Sequence, residues 1–267
     1  MKVVFAILGV LAAIAIAVSL AWFYLGWSLR GGGEVVSEQQ ALPSFNRIVI
    51  EGFADVTLVQ GNTESVQIEA APKQLPGVHA QVSGGTLTIA HGGSRSWLSS
   101  FFGGGARGAR VRITFRSLEA ITAAGTVKIR AEALRTDRLK VSAAGTTSLR
   151  IDALEANELA VTGSGAMKVE LAGHVTEQRV SISGAGDYRA AELASQDARV
   201  SVSGAGRVIV QVEKTLKVAL SGAGSVEYIG NPKVTQQVSG VGRVKRRDAS
   251  ESVRIVAWLS ESVRIVA

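Results

Sequence analysis

The sequence predicts an all-β chain wound as a β-solenoid of coils close to twenty residues long, preceded by one apolar N-terminal helix. Three observations predict it: a glycine-ended motif that recurs seven times, period-two alternation around each copy, and an uncharged apolar run near the start.

From Val3 to Leu25 there is no charge, and at about 20 residues the run is long enough to cross a bilayer as a helix. Lys2 precedes it, Trp22, Phe23, Tyr24 and Trp27 gather at its far end where aromatic rings suit the head-group layer, and Arg30 closes it. Residues 1–30 therefore read as a signal anchor, or as a signal peptide processed near Ala15/Ala17 or Ser19/Ala21. Either reading exports the remainder. Residues 31–44 read as a flexible linker.

The repeat follows. ITAAGTV (121–127), VSAAGTT (141–147), VTGSGAM (161–167), ISGAGDY (182–188), VSGAGRV (202–208), LSGAGSV (220–226) and VSGVGRV (238–244) end on Gly125, Gly145, Gly165, Gly186, Gly206, Gly224 and Gly242. The steps between these glycines are 20, 20, 21, 20, 18 and 18. Alternation such as Val208-Ile209-Val210-Gln211-Val212 marks strands with one buried face. Twenty residues are too few for a propeller blade, and LRTDRLK or VEKTLK is too short for a leucine-rich-repeat helix, so a β-helix remains. The seven glycines read as structural corners, where φ > 0 or a close backbone approach excludes a Cβ. Thr122, Ser142, Thr162, Ser183, Ser203, Ser221 and Ser239 read as one stacked column of hydroxyls.

Upstream, FNRIVIEGFADVTLVQG (45–61), VQIEA (66–70) and VSGGTLTIAHGG (82–93) read as strands of opening coils, so the β-helix spans 45–247. Residues 91–110, HGGSRSWLSSFFGGGARGAR, are too irregular for a coil and read as an inserted loop. Its Trp97, Phe101, Phe102, Arg107 and Arg110 combine apolar surface with charge and form the candidate binding loop. In the tail, 248–267, SESVRIVA occurs twice, and its alternation suits a C-terminal cap over the last coil.

Composition narrows the chemistry. The 267 residues are 46% hydrophobic with only 4 prolines and 2 methionines, which implies a core of Val, Ile, Leu and Ala. Without cysteine there is no disulfide, thiolate metal site, cysteine nucleophile or acylated cysteine. His79, His91 and His174 form no ligand spacing, so no metal and no cofactor is expected. The net charge is +7; residues 1–30 contribute Lys2 and Arg30, leaving 27 basic against 22 acidic side chains, or +5. That mild excess suits an anionic surface and lacks the dense basic stripe that nucleic acid needs.

The array, especially FNRIVIEGFADVTLVQG, VSISGAGDYRAAEL, VSVSGAGRVIVQV, LSGAGSVEYIGNPKV and VSGVGRV, resembles the family described as "putative auto-transporter adhesin, head GIN domain" (DUF2807). The resemblance implies an exported bacterial protein with a right-handed β-helical fold, and it carries no catalytic residues over. Here the first two corners read AAG, and only Asp187 places an acid after a corner glycine, against Arg207, Ser225 and Arg243. An acidic ligand column is therefore not expected.

The reading that follows is a non-catalytic, adhesion-like binding module, single-pass in the bacterial inner membrane through residues 3–25, with its β-helix in the periplasm or outside the cell. Its partner is an envelope protein or polysaccharide, and the solenoid ends offer a route to oligomers. The alternatives are a β-helical carbohydrate-active enzyme and a structural or envelope-sensing protein. An enzyme of that kind needs two carboxylates about 5 to 9.5 Å apart, whereas Asp55, Asp137, Asp152, Asp187 and Asp197 fall on different coils.

Overall fold

The computed structural model describes residues 36–70, 78–91 and 109–247, all within one compact unit that begins at Val36. The apolar run 3–25, most of the loop and the tail lie outside the described residues. Among the described residues no helix is long and apolar enough to cross a membrane. Their regular elements are all strands: β1 (Val36–Ala41), β2 (Arg47–Gln60), β3 (Ser65–Ala70), β4 (Val78–Ser83), β5 (Thr86–His91), β6 (Ala109–Phe115), β7 (Ala120–Gly222), β8 (Ser225–Ile229), β9 (Lys233–Gly240) and β10 (Arg243–Arg246).

β7 returns over itself every 18 to 20 residues. A Cβ on Gly145 would lie 2.6 Å from the carbonyl oxygen of Gly125, one on Gly165 2.5 Å from that of Gly145, and one on Gly184 2.6 Å from that of Gly165. Below, Gly52 of β2 is the parallel partner of Gly125; above, Gly222 is the partner of Gly240 in β9. One glycine column therefore runs through Gly52, Gly125, Gly145, Gly165, Gly184, Gly204, Gly222 and Gly240, each with φ between 91° and 134°. Both constraints exclude a side chain.

Of the seven glycines read as corners, Gly125, Gly145 and Gly165 are column glycines, whereas Gly186, Gly206, Gly224 and Gly242 sit two residues beyond theirs, where a Cβ on Gly224 would still lie 2.8 Å from the carbonyl oxygen of Gly206. A two-residue slip leaves every side chain on the same face, so alternation cannot detect it. Volume can. In the earlier rungs a small residue precedes the column and a larger one follows: Ala123 and Val127, Ala143 and Thr147, Gly163 and Met167. From Gly184 onward the order reverses, with Ile182 and Gly186, Val202 and Gly206, Leu220 and Gly224. A Cβ on Gly186 would meet Cγ2 of Ile182 at 2.6 Å, so the large side chain fills the space its small partner leaves.

The rungs bury every second residue. In the first, Ile48, Ile50, Val56 and Leu58 of β2 lie beneath Ile121, Ala123, Ile129 and Ala131 of β7, all at most 2% exposed. Each Val, Leu or Ile buried this way stabilises the stack by about 1.5–3 kcal/mol relative to an exposed one.

The opening segments depart from the expected coils. On the far side of β2, its first half pairs in parallel with β5 and its second half with β6. There the winding gives way to antiparallel pairing: β5 with β4, β6 with β3, and β3 with β1. VSGGTLTIA is a hairpin, since Gly84 and Gly85 have φ of 56° and 73° and Ser83 faces Thr86, the geometry of a two-residue turn. β1 forms within the segment read as linker.

Candidate functional site

Trp97, Phe101, Phe102 and Arg107 of the expected binding loop lie outside the described residues. Arg110 belongs to β6 and not to a loop, facing Asp55 of β2 on one side and Glu69 of β3 on the other. With Arg112 and Arg130 it lines a polar pocket of about 340 Å³. Arg130 reaches Asp55 at 3.7 Å, and Gln67 donates to Glu69 at 3.5 Å. Arg110 and Arg112 form no ion pair among the described residues.

The expected hydroxyl column divides in two, because the register slips. Thr122, Ser142 and Thr162 stand three residues before their column glycines, while Ser183, Ser203, Ser221 and Ser239 immediately precede theirs.

A long concavity lies on the other side of the glycines. A groove of about 1010 Å³ follows the column, and its floor is the residue after each glycine: Thr126, Thr146, Ala166, Ala185, Ala205 and Ala223. Phe53, 63% exposed, and Val241, 91% exposed, stand at its two ends. Next to three of the floor alanines stand Gly186, Gly206 and Gly224, whose inner space is filled by Ile182, Val202 and Leu220. Along the rim stand Asp55, Lys128, Lys168, Asp187 and Arg207. Thr147 also lines the groove; it is 3% exposed, and its Oγ1 is the one buried side-chain polar atom among the described residues with no hydrogen-bond partner. Asp55 lines both cavities, which places the arginine pocket near the Phe53 end of the groove.

Beside the groove, ion pairs form within rungs and between them. Arg150 bridges Asp152 at 2.7 Å and Glu170 at 3.2 Å, Lys168 reaches Glu170 at 2.9 Å, and Arg189 holds Asp187 at 2.6 Å. The hydrogen bond from Lys168, aided by the charges of Lys168, Arg150 and Arg189, holds the Glu170 carboxyl below its ordinary range against a smaller opposing effect of burial. Exposed pairs like these contribute little stability each. All five aspartates among the described residues are engaged: Asp55 by Arg130, Asp137 by Asn157, Asp152 by Arg150, Asp187 by Arg189 and Asp197 by Thr215. No group of three or more His, Asp or Glu suited to a metal occurs among the described residues.

Sequence reasoning missed a polar chain in the core. Tyr188 donates to Gln178 Oε1 at 3.1 Å, Gln178 Nε2 donates to Ser195 at 2.7 Å, and Ser195 donates to the Gln211 carbonyl at 2.7 Å. Burial pushes the Tyr188 phenol far above its ordinary range. All three side chains are buried and each of their polar atoms has a hydrogen-bond partner, so the chain fixes packing. Gln178 and Ser195, polar residues at inward positions, were the available signal.

The family model described as "putative auto-transporter adhesin, head GIN domain" matches residues 44–232. The chain belongs to this family. Similar folds occur in crystal structures of three proteins, each described as a "putative adhesin". The one from Bacteroides fragilis is 22% identical with a TM-score of 0.75, over 80% of this chain and 97% of that one. The one from Parabacteroides distasonis is 23% identical with a TM-score of 0.63, over 81% and 98%. The one from Parabacteroides merdae is 20% identical with a TM-score of 0.60, over 81% and 98%. No curated protein matches the chain significantly. At these identities the likeness is one of fold. A head GIN domain here thus combines a stacked parallel β core, an antiparallel entry and a lengthwise groove.

Proposed function

We propose that this head GIN domain is a non-catalytic, adhesion-like binding module of the bacterial cell envelope. In this reading residues 3–25 hold it in the inner membrane as a single-pass anchor, and the stack, wound as a right-handed β-helix, stands in the periplasm or outside the cell. The observation that carries the reading is the groove, which offers an apolar floor to an extended ligand across eight rungs. Two facts support it: each aspartate among the described residues is already held by a neighbour, and proteins of similar fold are described as "putative adhesin".

Sedimentation of the full chain with isolated cell envelopes tests it. Saturable co-sedimentation is expected, reduced at least tenfold in the Ala166→Lys/Ala205→Lys variant, whose changes fall on the groove floor. Equal binding by that variant would remove the groove from the reading, and release of reducing sugar from envelope polysaccharide would overturn the non-catalytic assignment.

A further inference from the structure

The groove and the arginine pocket share Asp55 and differ in chemistry, one apolar and elongated, the other cationic and compact. We propose that together they form a single site for an anionic monoacyl glycerophospholipid drawn from the adjoining membrane. The proposal rests on the binding-module reading above and names its ligand class.

Dimensions argue for one acyl chain. From Phe53 to Val241 there are seven rung steps of about 4.8 Å, a length of about 34 Å. Spread over that length, the 1010 Å³ groove has a mean cross-section of about 30 Å², room for one extended hydrocarbon chain. One leaflet's depth of acyl chain is about 15 Å, so the tail lies lengthwise with space to spare. Methyl groups of Thr126, Thr146, Ala166 and Ala185 would face it.

Charge argues for the head group. Arg110, Arg112 and Arg130 stand in the pocket with Asp55 and Glu69, a balance of three positive to two negative. Asp55 is engaged by Arg130 and Glu69 by Gln67, which leaves Arg110 and Arg112 to meet a phosphate. A zwitterionic head would bring a second cation to the arginines.

The test uses the full chain in phosphatidylcholine nanodiscs and palmitoyl lysophosphatidylglycerol carrying a diazirine in its tail. Crosslinks are expected on peptides between Thr126 and Ala223, competed by unlabelled lysophosphatidylglycerol at concentrations at least tenfold below those needed with lysophosphatidylcholine. Ala185→Leu/Ala205→Leu is expected to abolish labelling, and Arg110→Glu/Arg112→Glu to weaken it at least tenfold. Labelling indifferent to the leucine substitutions, equal competition by the two lysolipids, or crosslinks confined to residues 3–25 would each overturn the proposal. If envelopes bind through the groove while no lipid enters it, the ligand class is wrong and the binding module stands; if neither occurs, both fall.

Discussion

At Gly204 two demands coincide: φ is 134°, and a Cβ would lie 2.5 Å from the carbonyl oxygen of Gly184. At Gly84 only the first applies, since φ is 56° and nothing lies within 4 Å of the Cβ position. Backbone strain alone costs about 1–3 kcal/mol, and a backbone clash adds to it because the rung below cannot move independently. Gly204→Ala is therefore expected to lose more than about 3 kcal/mol in urea unfolding, and Gly84→Ala about 1 kcal/mol. Equal losses would mean that stacking distance plays no part in selecting glycine. Residue-level legibility follows the same division. Of the seven motif glycines, Gly125, Gly145 and Gly165 lie in the column and the other four lie two positions beyond it, an offset that strand parity, blind to even-numbered slips, does not reveal. The place of Arg110 in a strand was not legible, since the glycines around it resemble a loop.

Within a rung, bulk on one side of the column glycine is matched by its absence on the other. Met167 occupies a position that Gly186 leaves empty one rung later, while Gly163 stands where Ile182 will be. The arrangement makes an exchange testable. Met167→Gly alone is expected to cost about 2–5 kcal/mol by the cavity it opens. Gly163→Val alone is expected to destabilise by overpacking, for a Cβ there meets Sδ of Met167 at 2.6 Å. The double substitution should recover most of the loss, as read by urea midpoints in a double-mutant cycle; simple additivity would refute the compensation. The antiparallel entry was less visible in the sequence than the rungs. SGGT between alternating runs marked a hairpin, but the order in which β1, β3 and β6 pair depends on contacts far apart in the chain, and no local pattern encodes those.

A stack of rungs is stabilised mainly by nearest neighbours, so its stability varies along the axis. The rungs of β7 pair on both sides, whereas β9 pairs with β7 alone and β10 with β8 alone. Val238 and Val241 near that end are 40% and 91% exposed. Hydrogen exchange is expected to be fastest, among the described strands of the stack, at amides of Lys233–Gly240 and Arg243–Arg246, and slowest in the middle of β7. Uniform protection along the axis would show that the last rung is covered. The repeat made the stack readable in one dimension from the sequence. The groove was not readable, because its floor becomes a continuous line only when the rungs are aligned on Gly184, Gly204, Gly222 and Gly240, two residues from where the motif aligns them.

The groove lies parallel to the stacking axis and takes one floor residue from each rung, so its length is counted in repeats. Gain or loss of a single unit of 18 to 20 residues would change the longest straight ligand it holds by about 4.8 Å and alter no side chain elsewhere. Such a site works as a ruler: its selectivity for length is set by repeat copy number, which tandem duplication can change in one event.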